Sequence, residues 1–393
     1  PAWWWCGERL TPERLEWQMR QFRAGGLDQI TIISISPHWA QHGYPPDDPP
    51  FYSEEWWRCF LHVAHVADEL GMRLWYFDHI GTFPTRYPVD LITQHPEFAA
   101  RQLARLPGVA ELPPDAEVLR EDPEYTYFNA PIPYRDQYSA PDFYDLCNPA
   151  AGAALIDAIH GEMERRLGSL FSRVIGGSFQ DELRALPSWA PDLPAAYRER
   201  TGRALVDCLP ALFDVSAPDP GARSGYHQAL AELAEDAFFR PLYEWHDSRG
   251  LIVVCDQLFR TRTGDPLHAQ AAYHDYARTH RWFNGLGNDH NGEVKVHSSL
   301  VHLYGRPRTF LEGFHSSGWG GTLEETFQWL LPWLQQGSTL YGPHATYYTT
   351  KGGWLEWAPP DTAWRQPYWQ HYPYFNETVA RLCWLLTQGV HCC

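Results

Sequence analysis

No CxxC pair occurs among the eight cysteines of this 393-residue chain, which argues against a zinc ribbon or a disulfide-stapled scaffold. Basic residues are few: 31 Lys and Arg stand against 48 Asp and Glu, and a net charge of -17 would repel phosphate backbones. With no basic stripe either, nucleic acid is not an expected partner. Apolar runs such as Gly250–Cys255 fall far short of the roughly 20 residues that cross a bilayer, so no membrane partner is expected. A glycine-rich phosphate fingerprint, internal repeats and low-complexity segments are also missing, and no organic cofactor is expected.

What is present is a globular composition, 44% hydrophobic and 20% charged, with enough apolar mass for a sizeable core. Cys59, Cys255 and Cys383 lie in apolar stretches and read as small buried hydrophobes, a usage that leans toward a reducing interior such as the cytoplasm. The length allows one domain or two. The opening Pro1-Ala2-Trp3-Trp4-Trp5 and closing Gly389–Cys393 lack the character of chain ends, so the expectation is one catalytic-type domain over 1–393, cut from a longer protein.

Short apolar runs rich in β-branched and aromatic residues alternate with amphipathic segments, the pattern of repeated βα units. Strands are expected at Ala2–Trp5, Gln29–Ile35, Arg73–Phe77, Arg173–Phe179, Leu251–Asp256, Trp282–Gly287, Thr309–Phe314 and Ser338–His344. Thr11-Pro12, Ser53-Glu54-Glu55 and Thr322–Glu325 open helices, and Gly25-Gly26, Gly71 and Gly337 close them. Eight such strands predict an α/β fold, a (β/α)8 TIM barrel. Two overlong connections, Pro107–Pro149 after the third strand and Leu183–Asp219 after the fourth, leave the C-terminal ends of strands and are expected to wall a pocket.

Carboxylates stand where two strands run out. Asp181 and Glu182 end the fourth, and the bland alternative for them is a pair of acids at a helix N-terminus. Glu312 sits inside the otherwise apolar seventh, where an acid needs a function or a partner such as Arg308. Opposed carboxylates at a barrel mouth are what glycoside hydrolysis requires, one to protonate the leaving oxygen and one to attack or to activate water. Histidines recur near strand ends, at His38, His79, His290, His315 and His344, as sugar ligands, acid/base groups or metal ligands. Asp78-His79 and Asp289-His290 each pair an acid with an imidazole, and an acid-held imidazole is an oriented one. Of 19 tryptophans, Trp17 and Trp329 read as core, while Trp5, Trp39 and Trp319 fit pocket wall and core equally.

In order along the chain, Trp3-Trp4-Trp5, Ser53-Glu54-Glu55-Trp56, Arg73-Leu74-Trp75-Tyr76-Phe77-Asp78, Phe179-Gln180-Asp181-Glu182, Leu209–Phe213, Glu312-Gly313-Phe314 with Gly318-Trp319, Gly342–Ala345 and Pro367–Leu382 resemble the catalytic barrel of glycoside hydrolase family 106. The resemblance spans almost the whole chain and implies a calcium-dependent, inverting α-L-rhamnosidase-like enzyme with Glu182 as acid and Glu312 as base. It departs after the third strand, where His79 and Thr85-Arg86 replace the family's acid and its small Ser-Gly pair, so the sugar stays open. Substrate contacts are expected from Asp78, His79, Asp181, Asp289, His290, Trp319 and His344, with Asp181 and Asp289 as calcium candidates. Two rivals stand beside this reading: a histidine-based metal-dependent barrel hydrolase, which the missing His-x-His pair disfavours, and a barrel that binds saccharide without cutting it.

Overall fold

The computed structural model describes residues 1–34, 48–80, 87–108, 110–132, 143–214, 219–257, 272–289, 294–314, 317–351 and 359–389. Twelve strands occur among them: β1 Ala2–Trp5, β2 Gln29–Ser34, β3 Arg73–Phe77, β4 Arg101–Pro107, β5 Glu117–Glu121, β6 Tyr125–Pro131, β7 Ile175–Leu183, β8 Ile252–Gln257, β9 Gly285–Asn288, β10 Arg308–Gly313, β11 Leu340–Pro343 and β12 Thr346–Tyr347. Nine of them form one parallel sheet in the order β11-β10-β9-β8-β7-β3-β2-β1-β12. β11 and β12 follow each other on one segment, the first pairing with β10 and the second with β1. That segment therefore brings the two edges of the sheet together, and the result is the expected (β/α)8 barrel with eight strand positions.

Alternation along each strand sorts side chains into two layers. Inside the ring, Trp4, Ile33, Trp75, Phe77, Phe179, Val254, Phe310, Ala345 and Tyr347 form one cluster. Their neighbours Trp3, Trp5, Ile32, Leu74, Tyr76, Ile175, Val253 and Cys255 face outward into the larger core under the helices. The helix Glu54–Leu70 shows how the sequence sets this up. Ser53 accepts a hydrogen bond from the Trp56 amide, Gly71 caps the far end in the left-handed region, and Trp56, Phe60, Val63 and Val66 are buried. Trp5 belongs to this layer against Trp56 and Phe60, which makes it core. Trp17 is 48% exposed, its ring against Trp364, so it sits at the edge of the core. Cys59 and Cys255 are buried and outside any disulfide, and Cys383 is partly buried.

Several expected strand boundaries shift, β8 by one residue to Ile252–Gln257. Phe171–Val174 is a helical turn, so β7 starts at Ile175 and runs on through Asp181 and Glu182. Trp282 donates its indole N–H to Glu235 on a neighbouring helical segment, and β9 begins only at Gly285. β10 starts one residue early, at Arg308, and ends at Gly313, while the last expected strand is split into β11 and β12 around His344-Ala345.

The connection after β3 holds more than a loop. β4, β6 and β5 form a separate antiparallel sheet, with Tyr127 and Phe128 of the central strand buried. The connection after β7 supplies the helix Leu205–Phe213, and Arg105 lies over the rings of both Tyr125 and Phe213. The two insertions thus pack on each other beside the end of β7, where Arg184 also covers Phe143.

Close strand approach demands glycine at Gly177. A Cβ there would stand 2.0 Å from the Ile252 carbonyl oxygen and 2.7 Å from the Trp75 ring. Gly177→Ala is expected to cost about 2–3 kcal/mol, read as a lowered thermal midpoint.

Candidate active site

Three strands carry, one or two residues before their ends, an acid that continues the inward row. Two residues beyond Phe179, Val254 and Phe310 come Asp181, Asp256 and Glu312, and their carboxylate oxygens lie within 4.8 Å of one another. Asp181 and Asp256 are register partners in the β7–β8 ladder. Asp256 and Glu312 are buried, with 12% of the Glu312 side chain still exposed, while Asp181 is half-buried. The aromatic ring layer beneath forms a floor of low polarity.

Three carboxylates this close repel one another, so a neighbouring donor or a bound cation is favourable there. His344 stands beside it, its Nε2 3.8 Å from Glu312 Oε1, its amide donating to the Gly313 carbonyl at 2.7 Å, and its ring 5.5 Å from Trp4. Tyr347 completes the floor, fully buried; burial holds its phenol above the ordinary range, with nearby Cys6, Asp361 and Glu312 adding to the effect. Arg308 begins β10 at its other end, about 13 Å away along four extended residues, so the alternative of an Arg308 ion pair does not apply, and His344 is the basic neighbour of Glu312.

Glu182 is placed by a bulge. Asp181 pairs with Asp256, but the next pair in the ladder is Leu183 with Gln257, which leaves Glu182 as an extra residue with φ at +43°. Asp181 faces inward and Leu183 packs in the outer core, so the bulge leaves Glu182 half-buried at the rim between them.

The other expected site residues fall in different places. Asp78 follows the inward Phe77 and is 0% exposed. Its Oδ2 accepts from Gln180 Nε2 at 3.0 Å and its Oδ1 from the Ile80 amide at 3.1 Å, so it is tied to the wall and turned away from a sugar. Burial pushes its carboxyl up to about 7, against the pull of those two hydrogen bonds. His79 has φ at +57° and packs its ring against Phe51 and Phe77, with centroids 4.7 Å away in each case. Asp289, half-buried past β9, is absent from the acid cluster. Trp319 is 45% exposed in the Gly318–Gly321 turn. His38, Trp39, Thr85, Arg86, His290 and His315 lie outside the described residues.

Sequence reasoning passed over Asp256 and Tyr347. The signal for Asp256 was present: in Val253-Val254-Cys255-Asp256 it is the next inward residue after Val254. Tyr347 left no such signal, because the break between β11 and β12 sets its register.

No known protein family matches the chain, and no curated protein sequence does. Solved structures do match in fold. A rhamnosidase from Novosphingobium sp. PP1Y superposes with a TM-score of 0.72 at 10% identity, covering 99% of this chain and 59% of that one. A β-galactosidase from the psychrophilic Marinomonas ef1 gives 0.55 at 12% identity, covering 98% and 58%. A third, from the haloarchaeon Halorubrum lacusprofundi, gives 0.51 at 12% identity, covering 99% and 58%. The chain thus spans less than two thirds of each, and what it shares with them is the barrel fold.

Proposed function

We propose that this acid-lined barrel cleaves a sugar from a glycoside, oligosaccharide or polysaccharide by two-carboxylate catalysis. The observation that carries the reading is the convergence of Asp181, Asp256 and Glu312 with His344 at the C-terminal strand ends, where barrel enzymes keep their chemistry. Glu312 acts as general base toward water and Glu182 as general acid to the leaving oxygen. His344 is placed to hold Glu312, and Asp181 and Asp256 to bind sugar hydroxyls. An α-L-rhamnoside leads the candidate substrates, on the order of the sequence motifs and on the fold shared with a rhamnosidase.

One observation favours a second pairing. Asp181 and Glu312 bring carboxylate oxygens within 4.8 Å, close to the roughly 5 Å separation of retaining enzymes. The anomer first released, followed by NMR, separates the two. Inversion is expected for Glu182 with Glu312, whereas retention would transfer the roles to Asp181 and Glu312.

The only grouping of three or more metal-ligating side chains among the described residues is all carboxylate, a donor set that fits calcium and not a histidine-based zinc centre. Asp181 and Asp256 would hold the ion beside Glu312, with Asp256 taking the place expected for Asp289. A bound calcium offsets carboxylate repulsion and orients sugar hydroxyls. Asp256→Asn is expected to weaken calcium binding at least about tenfold by isothermal titration and to lower kcat by a similar factor. Unchanged heats of binding would remove calcium from this site.

A further inference from the structure

Asp78 and Gln180 lie on the helix side of the wall that carries the acids. Both are 0% exposed. Asp78 meets β7 twice: its amide donates to the Phe179 carbonyl at 3.0 Å, and its Oδ2 accepts from Gln180 Nε2 at 3.0 Å. Its Oδ1 meanwhile holds the Ile80 amide, closing the turn in which His79 adopts a positive φ. Gln180 immediately precedes Asp181 and the bulged Glu182, whose left-handed φ persists only where the surroundings fix it. The Tyr273 hydroxyl, donating to the Leu183 carbonyl, pins the other side of the bulge.

We propose that Asp78 and Gln180 form a positioning brace that holds the Asp181–Glu182 bulge in register against Glu312. The pair can serve in two protonation states. As a carboxylate, Asp78 accepts the amide N–H of Gln180. As an acid, it needs an acceptor, and Gln180 Oε1, buried without a hydrogen-bond partner, is the one a half-turn of the amide delivers. Burial places the exchange between these states near pH 7. Among the described residues, the titratable groups coupled to Asp78 are the phenols of Tyr52 and Tyr76, both held above their ordinary range by burial, so neither changes charge there, and His79 is its chain neighbour with its ring turned to Phe51 and Phe77. The two states need opposite orientations of the Gln180 amide, and the change between them adds a limb to the pH profile that belongs to neither catalytic carboxylate.

The part of this inference that concerns turnover rests on the glycosidase reading, so the test has two arms. Gln180→Met keeps the volume and removes the side-chain hydrogen bond to Asp78 in either protonation state. It is expected to raise amide hydrogen exchange across 181–183 at least about tenfold, to lower kcat about thirtyfold and to leave KM within about threefold. Asp78→Asn, which can donate to Gln180 Oε1, is expected to retain most of that protection and to erase the limb near pH 7. Unchanged exchange in Gln180→Met overturns the brace, and so does a limb that survives in Asp78→Asn. Faster exchange in a protein that cleaves no glycoside upholds the brace and rejects the reaction.

Discussion

Glu312→Gln is expected to lower kcat about a thousandfold on any glycoside the wild type cleaves, with little change in KM, because in the proposed mechanism it deletes the group that activates water in the transition state. The side chain is nearly isosteric and keeps its place beside His344, so the fold should survive. Glu182→Gln should behave differently. A general acid matters in proportion to how poor the leaving group is, so the loss is expected to exceed about a hundredfold on alkyl or sugar leaving groups and to shrink toward about tenfold on nitrophenyl ones. Steady-state kinetics over a leaving-group series checks both. A Glu182→Gln loss that ignored leaving-group acidity would move the acid role elsewhere, with Asp181 next in line.

Acidification gives the second large effect. His246 is fully buried, its Nδ1–H donating to the Leu242 carbonyl at 2.8 Å and its Nε2 accepting from the Ser178 hydroxyl at 2.8 Å. The His160 ring is 4.8 Å away, on a π-helical turn, with its Nδ1 2.8 Å from the Tyr76 hydroxyl. Burial lowers the His246 pKa to about 4 and pulls His160 well below its ordinary value, with Arg249 pushing both the same way. The unfolded chain takes up a proton near pH 6.5 that the native state refuses until about 4. Stability is therefore full above about 6.5 and is lost as the pH falls toward 4, by roughly 3 kcal/mol for His246 alone.

Asp78 works with the opposite sign. Its raised carboxyl contributes stability that is full below 3.8 and is lost as the pH rises through about 7, so the wild-type curve alone mixes the two groups. The difference between variant and wild type isolates the histidine. His246→Gln is expected to be less stable at pH 7.5 yet to lose roughly 3 kcal/mol less between pH 7.5 and 4, by urea unfolding. Parallel curves would show that His246 does not carry the acid sensitivity.

Much of the barrel was legible because its strands and helices obey local rules. β1 and β3 match the expected bounds, and the Ser53 and Thr322 caps fall where the residue types demand. What was not legible depends on non-local pairing. The β4-β6-β5 sheet is hidden in a segment dotted with prolines, and the β11–β12 break appears only where one segment must pair with strands on both sides. The site divides in the same way. Alternation from Phe310 makes Glu312 readable, and the same rule reaches Asp256. Asp78 misleads because a strand-end acid looks solvent-facing until its partner in β7 is known, and the bulge at Glu182 has no sequence signature beyond its neighbours.

The central claim is tested most directly by comparing initial rates of the wild type and Glu312→Gln on a panel of aryl glycosides, α-L-rhamnoside included. The account predicts that one glycoside turns over and that the substitution all but abolishes its cleavage. Turnover that survives in Glu312→Gln, or a folded wild type that leaves the whole panel intact, would contradict it.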